Sequence, residues 1–158
     1  MHNEIRPIPA TKFIAGAGGQ DDETPDGDGS AALVSGAQPR VLIVEDEGLV
    51  AINMEISLAE AGFDVVAIVD TEKDAVQAAQ RLKPDVILMD ITLREGDGIS
   101  AAKAIQAYTK ACVIFVSGNS DSKTLASLDQ ALPAGFIRKP FVTERLASLV
   151  REAMARRN

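Results

Sequence analysis

Four hydrophobic runs in this chain each end on polar residues that can handle a phosphate. They are Val41-Leu-Ile-Val-Glu-Asp46, Val86-Ile-Leu-Met-Asp90, Val113-Ile-Phe-Val-Ser117 and Phe136-Ile-Arg-Lys-Pro140. If each run is a strand of one parallel sheet, Glu45, Asp46, Asp90, Ser117 and Lys139 emerge along the same carboxyl edge. A carboxylate is a competent nucleophile at neutral pH and forms an acyl phosphate. Several acids, a hydroxyl and one lysine therefore point to a magnesium-assisted phosphoryl acceptor. Two carboxylates beside a third repel by about 4 kcal/mol per pair at about 4 Å and an effective dielectric of about 20. A scaffold gains nothing from that arrangement, whereas a divalent cation reverses its sign. Magnesium suits it, with manganese as the alternative: a hard ion taking a few oxygen ligands, several waters and a phosphoryl oxygen.

The elements that must position these residues follow from Arg40 onward as alternating strand and helix signals. Strands are expected at Arg40–Glu45, Asp64–Val69, Asp85–Met89, Cys112–Val116 and Gly135–Arg138. The first helix is expected over Glu47–Ala61, with Leu49, Ile52, Ile56 and Ala59 at helical spacing and Gly62 ending it. Thr71 reads as the N-cap of a second helix through Leu82, which Pro84 stops. A polar loop (92–98) leads to a third helix over Ile99–Thr109. A short helix over Asp121–Ala131 carries Leu125, Leu128 and Leu132 on one side. A last helix over Thr143–Arg156 turns Leu146, Leu149, Val150 and Ala153 inward. Five strands alternating with five helices specify an α/β doubly wound domain with a parallel sheet. In that class, ligands bind outside the carboxyl ends of the strands.

Composition excludes several functions. At 158 residues and 46% hydrophobic, the chain forms one ordinary domain with a proper core. The lone histidine, His2, argues against a His-based triad or a Cys/His zinc site. The single cysteine, Cys112, opens an apolar run and reads as a buried small side chain. It forms no internal disulfide, which fits a cytoplasmic location, and no secretory signal or membrane-length apolar stretch is present. Residues 1–39 hold six acids and two bases, and residues 40–158 hold 17 acids and 14 bases. Neither part has the basic excess of a nucleic-acid binder. Residues 1–39 also carry six of the twelve glycines and four of the seven prolines, and are expected to be a flexible, disordered extension. The stretch Phe13-Ile-Ala-Gly-Ala-Gly-Gly19 within it reads as linker, because the third glycine of a dinucleotide loop is missing.

Residues 40–157 resemble the receiver domain of two-component response regulators, a flavodoxin-like fold with strand order 2-1-3-4-5. The motifs that carry the resemblance are Leu42-Ile-Val-Glu-Asp-Glu47, Val86-Ile-Leu-Met-Asp-Ile91 with Asp97-Gly98 following, Val116-Ser-Gly118 and Lys139-Pro-Phe141. The resemblance implies that Asp90 accepts a phosphoryl group from a phosphohistidine of a sensor kinase or phosphotransfer protein. It implies that Asp46 and Asp90 ligate magnesium directly, Glu45 directly or through water, and Thr92 through its backbone carbonyl. Lys139, set by a cis bond to Pro140, and the Ser117 hydroxyl would then contact the phosphate, with Gly118 leaving room for it. Thr92 and Asn119 would flank the attacking water, and Phe136 would stand at the aromatic switch position. A plain core aromatic is a nearly equal reading of Phe136. Arg94 departs from the commonest pattern, where a proline often stands, and is expected to loosen or redirect the loop after strand three. Ser117-Gly118 replaces the frequent Thr-Ala pair.

The chain ends at Ala155-Arg-Arg-Asn158, so a stand-alone regulator working by contact with a downstream protein is expected, with its own phosphorylation assisted but no enzyme activity on external substrates. Phosphorylation would change the face of helix four, strand five and helix five. Helix one, with Leu49, Val50, Ile52 and Met54, is the expected kinase-docking element, although core packing must claim part of that set. Alternatives are a phosphate shuttle or sink, a degenerate receiver acting as an interaction module, and a small aspartate-nucleophile phosphatase. The last needs a general acid two positions past the nucleophile, where Thr92 stands.

Overall fold

The computed structural model describes residues 6–7, 37–118 and 122–157. Strands β1 (Arg40–Val44), β2 (Asp64–Val69), β3 (Val86–Asp90), β4 (Cys112–Ser117) and β5 (Gly135–Arg138) alternate with α1 (Gly48–Glu60), α2 (Glu72–Leu82), α3 (Gly98–Gln106), α4 (Ser122–Gln130) and α5 (Thr143–Arg157). All five strands run parallel in the order β2-β1-β3-β4-β5. The doubly wound arrangement expected from the alternation is thus present. Arg6–Pro7 adds a two-residue antiparallel edge on β2, opposite Ile68 and Ala67. Proline tolerates such an edge because it has no N–H to lose to a ladder. The glycine-rich stretch 13–19 and Asn119 lie outside the described residues.

β3 and β4 are buried at every position, as strands covered on both faces should be. Alternate side chains therefore feed two cores. Leu42, Val44, Ile87, Met89, Val113 and Phe115 pack under α2, α3 and α4. Val41, Ile43, Val86, Leu88, Ile114 and Val116 pack under α1 and α5. Cys112 is buried in the second core, as expected. Among the described residues, no helix is long and apolar enough to cross a membrane.

Local signals decide the helix ends. Thr71 caps α2 by accepting from the Asp74 N–H at 3.1 Å, and Lys83 closes that helix in the left-handed region just before Pro84. Gly62, at φ 94°, follows the end of α1. Two stripe assignments are corrected. α1 turns Ala51, Met54 and Leu58 inward, whereas Leu49 and Ile56 are 79% and 51% exposed and Ile52 is also exposed. The helix is apolar almost all round, so its spacing supports two stripes and the sequence does not say which meets the sheet. Of the three leucines expected on one side of α4, Leu128 joins the core. Leu125 is exposed, and Leu132 lies beyond the helix end with φ 48°. α5 buries Leu146, Val150 and Ala153, with half-buried Leu149 packed against them, as its periodicity predicts.

Candidate functional site

The register of the central strands brings the acids together. Val44 of β1 pairs with Met89 of β3, so Glu45 follows beside Asp90 at the carboxyl edge. Each lies an even step past a residue of the α1/α5 core, Ile43 and Leu88 respectively, so their carboxylates leave the sheet on the same side. Both are buried, at 3% and 5% exposure. Asp46 completes the group: carboxylate oxygens of Glu45, Asp46 and Asp90 all lie within 4.8 Å of one another. Asp90 in turn pairs with Val116, one residue before Ser117, and Ser117 pairs with Arg138, one before Lys139. The strand ends thus line up as the hydrophobic runs require.

The charges resolve around Lys139. The Lys139–Pro140 bond is cis, and the Lys139 ammonium stands 2.6 Å from Glu45 Oε1, 3.1 Å from Asp90 Oδ2 and 3.4 Å from Glu47 Oε1. Its contact with Glu45 is an ion pair without the alignment of a hydrogen bond, so buried Oε1 lacks an aligned donor. Burial pushes the Glu45 carboxyl up to about 7; attraction to Lys139 and the Glu47 N–H oppose the rise, and the Asp90 charge adds to it. Burial pulls Lys139 down, but its ion pairs with Glu45 and Asp90 outweigh that and hold it above its ordinary value. The Thr92 N–H donates to Asp90 Oδ1 at 3.1 Å, so both oxygens of Asp90 have a partner. Three carboxylates converging within 4.8 Å of one another fit a hard divalent cation. Glu45, Asp46 and Asp90 are the side chains that could hold it.

The remaining expected residues fall nearby with different weight. Ser117 is buried at the end of β4, and its carbonyl accepts from the Lys139 N–H at 3.0 Å. A Cβ on Gly118 would sit 3.9 Å from Lys139 Cβ, an ordinary contact, so packing alone does not demand glycine there. Phe136 is half-buried, packs against the α2/α3/α4 core and pairs with Phe115. Arg94, in the loop after β3, forms a 2.8 Å ion pair with Asp70 just past the end of β2. Sequence reasoning missed Glu47, the third acid on Lys139, although it closes the Leu42–Glu47 motif. It also missed Gly98 as a steric requirement: a Cβ there would lie 2.0 Å from the Asp90 carbonyl oxygen.

A profile of the response regulator receiver domain matches residues 41–151. The chain belongs to the response regulator receiver family. It is 33% identical over 116 residues to the chemotaxis protein CheY of Bacillus subtilis (strain 168), covering 73% of this chain and 97% of that protein. It is 30% identical over 117 residues to the transcriptional regulatory protein PdtaR of Mycobacterium tuberculosis, covering 74% of this chain and only 57% of that regulator. Among solved structures, the signal receiver domain of a modulated diguanylate cyclase from Desulfovibrio desulfuricans G20 superposes with a TM-score of 0.71 at 32% identity, covering 75% of this chain and 95% of that one. This receiver therefore belongs to two-component signalling, and its acidic cluster fits the magnesium site of such domains.

Proposed function

We infer that Asp90 is the phosphoacceptor of this receiver, taking its phosphoryl group from a phosphohistidine of a sensor kinase or phosphotransfer protein. The observation that carries the reading is the Lys139 ammonium lying between buried Glu45 and Asp90, with Asp46 closing a three-carboxylate cluster. An Asp90 oxygen attacks phosphorus, the P–N bond breaks, and its electron pair stays on the imidazole nitrogen. In hydrolysis, water attacks the same phosphorus and the Asp90 carboxylate leaves. Lys139 is already beside Asp90 Oδ2, so it needs little movement to meet negative phosphoryl oxygens as a point charge. Ser117, one register step from Asp90, supplies a hydroxyl, and Gly118 leaves that side open. A magnesium ion held by Asp46, Asp90, Glu45 and the Thr92 carbonyl would neutralise charge on the transferring group. Thr92, whose N–H holds Asp90 Oδ1, tunes hydrolysis.

The exposed Leu49, Ile52 and Ile56 stripe on α1 is the surface on which the phosphodonor docks. Output passes through contact with a downstream protein at the face of α4, β5 and α5, with Phe136 linking it to the site. Incubation with a small phosphodonor and magnesium, followed by intact-mass measurement, tests the acceptor. One phosphoryl adduct is expected, lost in Asp90→Asn and without magnesium. An adduct that persists in Asp90→Asn, or none even with a cognate kinase, rejects the assignment.

A further inference from the structure

We propose that Glu72, the first residue of α2, is a positioning residue for the acceptor site, holding the β3–α3 loop that presents Thr92. The inference rests on reading Asp90 as a magnesium-assisted acceptor with Thr92 contributing its carbonyl. An acid in the first turn of a helix is ordinarily there for the helix dipole and faces water. Glu72 does something more specific. Its Oε2 accepts from the Asp97 N–H at 2.8 Å, while its own N–H donates to the Glu95 carbonyl at 3.0 Å. One residue therefore grips the loop at two points, the backbone one setting Thr71 beside Glu95 in a short parallel pair.

The loop is shaped to receive that grip. Gly96 has φ 86°, and a Cβ on it would lie 2.3 Å from Glu72 Cβ and 2.5 Å from Oε2. Both its backbone conformation and the close approach of Glu72 require glycine. One residue on, Asp97 caps α3, accepting from the Ile99 and Ser100 N–H groups at 3.0 and 3.2 Å. The Gly98 N–H donates to the Ile91 carbonyl at 2.9 Å, which sets Asp97 opposite Thr92 as an antiparallel pair. A continuous path therefore runs from Glu72 through Asp97 to Thr92, whose N–H holds Asp90 Oδ1. The Arg94–Asp70 pair ties the same loop to the same end of α2, but at a solvent-exposed place where such pairs contribute little. Glu72 is the principal tie.

Groups that orient a metal ligand from behind typically govern affinity by tenfold or more when removed. Calorimetric titration of the full chain with magnesium reads this directly. Glu72→Ala is expected to bind magnesium about tenfold more weakly. Glu72→Gln keeps an oxygen that accepts from the Asp97 N–H, and should recover most of the loss. A role in stability alone would lower the melting temperature of Glu72→Ala and leave its magnesium affinity at the wild-type value, which overturns the proposal. Should Glu72→Ala fail to fold, amide hydrogen exchange on the unmodified protein decides. Magnesium is expected to slow exchange at the Asp97 N–H, and unchanged exchange there overturns the proposal. The unmodified protein separates the two levels of inference. If it binds no magnesium and takes no phosphoryl group, the acceptor reading fails. If it does both while Glu72→Ala matches it, only the role of Glu72 falls.

Discussion

Lys139 makes a carboxylate-crowded edge tolerable in the folded chain before any metal arrives. Glu45 and Asp90 are buried side by side, and the ammonium bridges them. The compensation is incomplete, because Glu45 still sits at about 7 against an ordinary 4.5. The folded protein thus keeps a proton that the unfolded chain releases. Without metal, the contribution of this group to stability is fully present below about pH 4.5 and is lost as the pH climbs through about 7. Its size is on the order of 3 kcal/mol at most. Because magnesium must displace that proton, its affinity should rise from pH 6 to pH 8 with proton release, seen by calorimetry in buffers of different ionisation enthalpy. Glu45→Gln should flatten the dependence. Gly98 sets a second, steric condition. Gly98→Ala would place a Cβ 2.0 Å from the Asp90 carbonyl oxygen, so the backbone must move. Urea unfolding should report a loss of about 2–3 kcal/mol, and phosphorylation by a small donor should slow on the order of a hundredfold. The convergence of the acids with Lys139 was legible in the sequence, whereas the steric condition was not: Asp97-Gly98 stood out as a motif, but the contact that makes the glycine necessary joins residues brought together only by the fold.

At the scale of elements, β3 and β4 read correctly because continuous apolar runs have one meaning in a covered sheet. The bounds of α1 also read correctly, but its inward face did not, because an apolar helix offers two faces and only tertiary packing chooses between them. The choice separates stability from recognition. Leu58 is fully buried against the sheet, and Leu58→Ala should cost about 2–5 kcal/mol in urea unfolding. Joint replacement of Leu49, Ile52 and Ile56 by serine should change stability by no more than about 0.5 kcal/mol per site. It should leave labelling by a small phosphodonor intact while slowing transfer from the cognate kinase. Equal slowing of both reactions would mean that the stripe supports the site rather than the partner. In the loop after β3, Arg94 stood out in the sequence, but its partner, Asp70, lies just past the end of another strand and could not be read from local pattern.

Across the whole molecule, the site is a property of the sheet, since four strand ends and the loop after β3 each contribute to it. The alternation of strands and helices made a doubly wound sheet legible, and the strand order came with the resemblance to receiver domains carried by the motifs at the ends of β1, β3, β4 and β5. The antiparallel piece at Arg6–Pro7 was not legible, because two residues carry no periodicity. Its position is informative: it lies on β2, which lends no residue to the acidic cluster. It adds two register pairs, and one of its two residues has no N–H to donate. With each hydrogen bond contributing about 1 kcal/mol net, shortening the chain to begin at Gln38 should cost no more than about 1–2 kcal/mol. Magnesium affinity and the rate of labelling at Asp90 should stay as in the full chain. A loss of several kcal/mol would make the edge strand an integral part of the domain. A changed labelling rate at unchanged stability would instead mean that the N-terminal segment acts on the acceptor site.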